Sequence, residues 1–327
     1  MPALEIKDLH KHIPRSWFNA LHTCEFWVTG FRILTTKDRQ VERGRYYDFD
    51  AETRIMIWFG TVVHLVPDGE PSAAFQHADG RAEIKWNPSK PASHDNANWL
   101  LIFQRYRSDQ QYANTKCIDR GHTLAGLVAA TIGDNWVYVR SFDHGVRLPE
   151  LTTNMVLGEL AITDNYLTLV DTSHERLIVV KEAFDRLRTM GDKDRRRLEL
   201  ALHWYDLGRR AVGIDAFLRL WIALEAVASN GKYEGIKPIK IALQGIYKID
   251  EKTEVERRFM IGELFGFRSR IVHMGQRLDV QPALNVYVKA VFEDLLMRQL
   301  GQDGGGRAMA ELQKPGVNLR ALMGLEA

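Results

Sequence analysis

Near residue 175 the hydrophobic pattern of the chain changes period, and this limits the fold more than any other feature. Before it, short apolar runs are rich in Val, Ile, Trp, Phe and Tyr: IMIWFGTVVHLV (55–66), RAEIKW (81–86), NWLLIFQRY (98–106), DNWVYVRSF (134–142) and NYLTLVD (165–171). Turn-forming stretches such as PDGEPS and NPSKPASHDNAN separate them, so the pattern predicts strands joined by loops. LAGLVAATI (124–132) fits a helix or a buried strand equally.

After residue 175 the apolar spacing is helical. RRRLELALHWYDLGRRA (195–211) carries Leu198, Leu202 and Tyr205 at helical intervals, with Gly208 and Gly213 loosening its end. DAFLRLWIALEAVA (215–228) presents Phe217, Leu220, Trp221, Leu224 and Val227 as one broad face. IKPIKIALQGIYK (236–248) predicts a third helix with Pro238 in its first turn. TEVERRFMIGELFGFRSRIVH (253–273) predicts a fourth, with Thr253 and Glu256 as a capping box. QPALNVYVKAVFEDLLMRQL (281–300) predicts a fifth, and GQDGGG (301–306) reads as a flexible hinge before a tail that is mobile or docks on a partner. The predicted class is α+β: a β-rich N-terminal domain over 1–174, a helical bundle over 175–300, and a hinge and tail over 301–327.

The 327 residues suffice for two domains with substantial cores. A net charge of +2 gives no whole-protein basic field, so an RNA partner would have to use a local patch. Cys24 and Cys117 are far apart and lack metal spacing, which points to a reducing compartment. MPALEIKDLHKHIPR lacks the pattern of a secretory signal, and no stretch reaches the roughly 18 apolar residues of a membrane span. A cytoplasmic location, no membrane partner, no cofactor and no metal are expected. GxxxxGK[ST], HExxH, GxSxG and a strand-borne GxGxxG are all missing. The acid–histidine neighbours His77 with Asp79, His94 with Asp95 and Asp143 with His144 read as loop residues.

FRSRIVHMG (267–275) places Arg268, Arg270 and His273 just before Gly275. On a regular helix Arg268 and His273 stand about 140° apart. Either the helix ends at Gly275 and releases His273, or two copies of the protein each contribute one member of the pair. A histidine in a last helical turn also feels the negative end of the dipole, which favours its protonated form. Histidine can move a proton to or from a ribose hydroxyl, and arginine offers a fork of donors to phosphate oxygens. Such a set could run RNA transesterification without a metal. A solvated helix end bearing charges that suit the dipole has the same spacing.

FRSRIVHMG resembles the Arg-x4-His signature of the HEPN domain. AFLRLWIALEAVAS (216–229) is similar to the preceding landmark of its Apea-like branch, and ALHWYDLGRR (201–210) has the branch's texture. Together these cover about residues 190–300. The sequence departs from the branch at Ser269, where active members often carry Asn, Asp or His, and at Met274, usually Gly. The resemblance implies a metal-independent endoribonuclease, often of phage defence or toxin–antitoxin systems, acting as a homodimer with apposed motifs. It implies Arg268 and His273 as the catalytic pair and Glu225 as a support, beside Ser269. Arg270 is then either a second phosphate contact or an outward-facing residue. Between residues 186 and 210, eight Lys/Arg stand against four Asp/Glu. Arg195, Arg196, Arg197, Arg209 and Arg210 are therefore the candidate RNA contacts, or simply a solvated helix start. The N-terminal domain carries no motif, and its position suggests a sensing or restraining role toward a phage-derived or protein trigger.

Overall fold

The computed structural model describes residues 4–5, 13–18, 24–34, 45–66, 71–76, 82–86, 90–107, 112–132, 137–148, 152–156, 174–229, 235–302 and 305–325. The layout is α+β. The chain divides into two compact units, Met1–Ile118 with Asn135–Ser173, and Asp119–Asp134 with His174–Ala327.

The first unit holds β1 (Leu4–Glu5), β2 (Cys24–Leu34), β3 (Arg45–Asp50), β4 (Thr53–Val66), β5 (Pro71–Gln76), β6 (Ala82–Trp86), β7 (Lys90–Arg105), β8 (Val137–Leu148) and β9 (Thr152–Val156). One sheet runs β1-β4-β7-β2-β8-β9, with β3 also on β4, and β5 and β6 pair separately. β1 lies parallel to β4, and the other pairings are antiparallel. The run NYLTLVD (165–171) and the neighbours His77 with Asp79 fall outside the described residues. His94 with Asp95 and Asp143 with His144 sit within β7 and β8, not in loops.

β7 shows why its sequence lacks alternation. Trp99, Leu100, Leu101, Ile102 and Phe103 are all fully buried, as a strand covered on both faces requires. On one face Trp99, Leu101 and Phe103 pack with Phe26, Val28, Met56, Trp17 and Ile13. Cys24 belongs to the same core, and burial pushes its thiol up to about 11. Cys117 is buried too. Thiolate is the reactive form. Alkylation at pH 8 followed by mass spectrometry should therefore modify neither cysteine in the native protein and both in denaturant.

LAGLVAATI resolves as helix. It is the second half of α1 (Ala113–Ile132), which crosses the division between the units. The second unit adds α2 (His174–Thr189), α3 (Asp192–Arg210), α4 (Gly213–Ala228), α5 (Lys237–Tyr247), α6 (Lys252–Phe259), α7 (Ile261–Met274), α8 (Pro282–Gln299), α9 (Arg307–Leu312) and α10 (Leu319–Leu322). All five residues of the expected α4 face are buried. Gly208 does not loosen α3. A Cβ there would meet Leu220 Cγ at 2.8 Å, so its missing side chain admits α4.

Four expectations need correction. The segment 253–273 is two helices, broken at Met260, which adopts φ 51°. Thr253 forms no capping box. The residue before α6 is Glu251, and the Glu256 carboxylate instead accepts the Gly262 N–H at 2.8 Å, satisfying an amide at the start of α7. The segment after 301 is not a separate tail. Ala308, Leu319, Leu322 and Met323 are buried in the second unit. Nor is the helical unit confined to 175–300, because residues 119–134 belong to it. They fit there because Gly126 lets α1 approach α3: a Cβ at 126 would lie 2.4 Å from the Leu202 carbonyl oxygen.

Gly126→Ala should therefore lower the urea midpoint, at a cost of about 1–3 kcal/mol from overpacking against backbone. Gly245→Ala, in α5 with open space around it, should raise stability by about 0.5–1 kcal/mol through helix propensity alone.

Candidate active site

Helix α7 is oriented by its apolar face. Ile261, Leu264 and Phe267 are buried, and the Phe267 ring meets Phe217 of α4 edge-on at 5.2 Å. Phe265 lies against Trp221, 6.4 Å between centroids. With that face fixed, Arg268 is half-buried and His273 exposed. Gly275 takes φ 64° and ends the helix, with the Gly275 and Gln276 N–H groups both donating to the Arg270 carbonyl.

Arg268 Nη1 and His273 Nε2 lie 3.2 Å apart within one chain. The 140° argument describes backbone positions, whereas the long arginine arm crosses that angle along the helix surface. Guanidinium can only donate, so a hydrogen bond across this contact has Nε2 as its acceptor. A neutral imidazole nitrogen beside a permanent cation is equipped to take a proton while the cation stabilises negative charge. His273 stands in the last turn of α7, on open surface.

The other expected residues are not all brought to this pair. Arg270 turns away: its Nη2 donates to the Met323 carbonyl at 3.3 Å and its guanidinium lies 5.3 Å from the Phe267 ring centroid. It is neither outward-facing nor beside Arg268. Glu225 is half-buried on α4, and among the described residues no hydrogen bond or ion pair joins its carboxylate to Arg268 or His273. Ser269 is half-buried, and among the described residues no hydrogen bond joins its hydroxyl to the pair.

The five arginines of α3 also divide. Arg197 donates to the Val227 carbonyl at 2.7 Å and the Ala226 carbonyl at 3.3 Å, satisfying the end of α4, and it pairs with Asp194. Arg195 is held by Asp192 at 3.0 Å. Arg209 lies over the Tyr205 ring. Arg210 donates to the buried Asp206 carboxylate and also abuts His122 Nδ1. Only Arg196 is fully at the surface. Two of the five, Arg197 and Arg210, are thus engaged with neighbouring helices, and Arg195 and Arg209 with partners on α3 itself.

The engagement of Arg210 marks a polar interior the sequence reading missed. His122 Nδ1 lies 2.8 Å from Asp206 Oδ2, joining α1 to α3, with the His203 ring edge-on to His122 at 5.5 Å. On α8, Glu293 accepts from Tyr205 and from Arg307 Nη1 at 3.0 Å, and Arg307 also donates to the Ala130 carbonyl at 2.7 Å. Asp294 accepts from Tyr247 and from the first amides of α9, Arg307 N at 3.2 Å and Ala308 N at 2.9 Å. Burial pushes the Asp294 carboxyl above its usual range, with these donors opposing. Burial, then the Glu293 charge, holds the Tyr205 phenol well above its usual value. The spacing of Asp206 and Arg210, one helical turn apart, was the visible half of this signal; His122 lies 84 residues away. Among the described residues no cluster of His, Cys, Asp or Glu could hold a metal ion, and no helix is long and apolar enough to cross a membrane.

Removing Asp206 would leave a buried histidine and guanidinium without their shared acceptor. Asp206→Ala should cost about 3–5 kcal/mol by urea denaturation. Arg196→Ala should stay within about 0.5 kcal/mol.

No family model, no curated protein and no solved structure matches the chain.

Proposed function

We propose that the protein is a metal-independent endoribonuclease of the HEPN type, serving phage defence or a toxin-like stress response. The observation that carries the reading is the 3.2 Å contact between Arg268 and an exposed His273 at the end of α7. In this reading His273 takes the proton of a ribose 2′-hydroxyl. The 2′-oxygen attacks the adjacent phosphorus, and the 5′-oxygen leaves with a proton and a 2′,3′-cyclic phosphate behind it. Arg268 stabilises the charge on the phosphoryl oxygens. A second copy of the chain supplies the opposing His273 as the acid. The homodimer forms on the α7 face, where Val272 is 46% and Met274 69% exposed. The first unit senses a phage-derived or protein trigger, or restrains the nuclease.

Those exposed apolar residues also favour a second reading, a non-catalytic dimerisation or nucleotide- and RNA-binding module. Cleavage of a labelled RNA pool in excess EDTA separates the two. The nuclease reading expects cyclic phosphate ends from wild type, a loss of about 10²–10⁴-fold in His273→Ala, and about 10²–10³-fold in Arg268→Ala. Arg270→Ala should lower the melting temperature yet leave the rate per folded molecule unchanged, because its guanidinium serves Met323. Cleavage that persists in His273→Ala, or that EDTA abolishes, would sink the mechanism.

A further inference from the structure

The loop that leaves α7 continues into a cavity that the Arg268–His273 pair does not use. It is about 560 Å³, within the size range of small-molecule sites. Its walls are Val212, Gly213, Ile214 and Asp215 at the start of α4 and Arg277, Leu278, Asp279 and Val280 from the loop. The walls are fixed from behind: Val280 is buried, and Asn285 Nδ2 donates to the Gly213 carbonyl at 3.1 Å. Asp215 is engaged by Arg219 at 2.8 Å. Arg277 and Asp279 are exposed, and among the described residues neither has a hydrogen-bond or ion-pair partner. Val212, unusually for a large apolar side chain, is 61% exposed.

We infer that this cavity is a base-binding subsite for single-stranded RNA, in which Asp279 reads guanine and Arg277 holds the adjoining phosphate. The inference rests on the ribonuclease reading for its substrate. His273 and Arg277 are four positions apart in the chain, so their Cα atoms lie no more than about 14 Å apart. That span suits neighbouring nucleotides of one strand. Val212, Ile214 and Leu278 supply apolar surface for a base. A carboxylate only accepts hydrogen bonds. Guanine offers N1–H and the N2 amino group side by side to its two oxygens. Uracil presents one N–H between two carbonyls, which a carboxylate repels. The free guanidinium at 277 and the positive end of the α4 dipole both favour phosphate at the rim.

The test is calorimetric titration of the full-length protein with 5′-GMP, 5′-UMP and inorganic phosphate. Expected is GMP binding about ten-fold or more tighter than UMP. Asp279→Asn, which keeps the volume and removes the charge, should erase that preference. Arg277→Ala should weaken both nucleotides. Both substituted residues are exposed, and circular dichroism of each variant confirms its fold. Equal affinity for GMP and UMP, no nucleotide binding, a preference that survives Asp279→Asn, or phosphate binding as tightly as GMP would each overturn the subsite. EDTA-resistant, His273-dependent cleavage alongside such a result would leave the nuclease reading standing. Guanine-selective binding without cleavage would remove the nuclease and keep the pocket.

Discussion

The close approach of α4 to α3 at Gly208 is the contact on which the rest of the helical unit depends. It lets Leu220 settle over a helix with no side chain in the way, and it fixes the rotation of α4. That rotation points Phe217 and Trp221 at α7, whose Phe267 and Phe265 meet them. Helix α7 therefore turns Arg268 and His273 outward because of what it must bury on the opposite side. The position of the pair is a by-product of the aromatic contact on the other side of the same helix.

A second constraint runs through the interior of the same unit. Asp206, Glu293 and Asp294 are carboxylates withdrawn from water, and each is matched by donors from other helices. Such groups contribute little net stability compared with an apolar core, but leaving one unmatched is costly. They make wrong helix arrangements unfavourable: α1, α3, α8 and α9 can come together only where His122, Tyr205 and Arg307 reach their acceptors. Of the arginines counted as an RNA-facing patch, Arg210 serves this internal matching instead, and Arg197 satisfies the last carbonyls of α4.

The apolar face of α4 was legible because burial on one side leaves a 3.6-residue rhythm. The β7 strand was legible because burial on both sides leaves none. The break at Met260 left no trace, since a methionine in the left-handed region carries no glycine to announce it. The second half of α1 was ambiguous because so short a run, apolar at nearly every position, has no period to read. At the candidate site, residue types and spacing found Arg268 and His273. The angle between them misled, because backbone geometry says nothing about how far an arginine arm can reach. Arg270 was indistinguishable from Arg268 in the sequence, and only the carbonyl of Met323, 53 residues on, tells them apart.

Arg307 joins the Ala130 carbonyl across 177 residues of chain. During synthesis α1 leaves the ribosome long before the side chain that closes over its end. Until Met323 follows, α7 also lacks the carbonyl that occupies Arg270. A nascent chain thus carries the Arg268–His273 helix without its final clamp, and the helical unit is completed only when residues beyond 305 arrive. A fragment ending at 300 would freeze the molecule in that earlier state, with Glu293 and Asp294 keeping Tyr205 and Tyr247 but losing the donors that Arg307 and Ala308 supply.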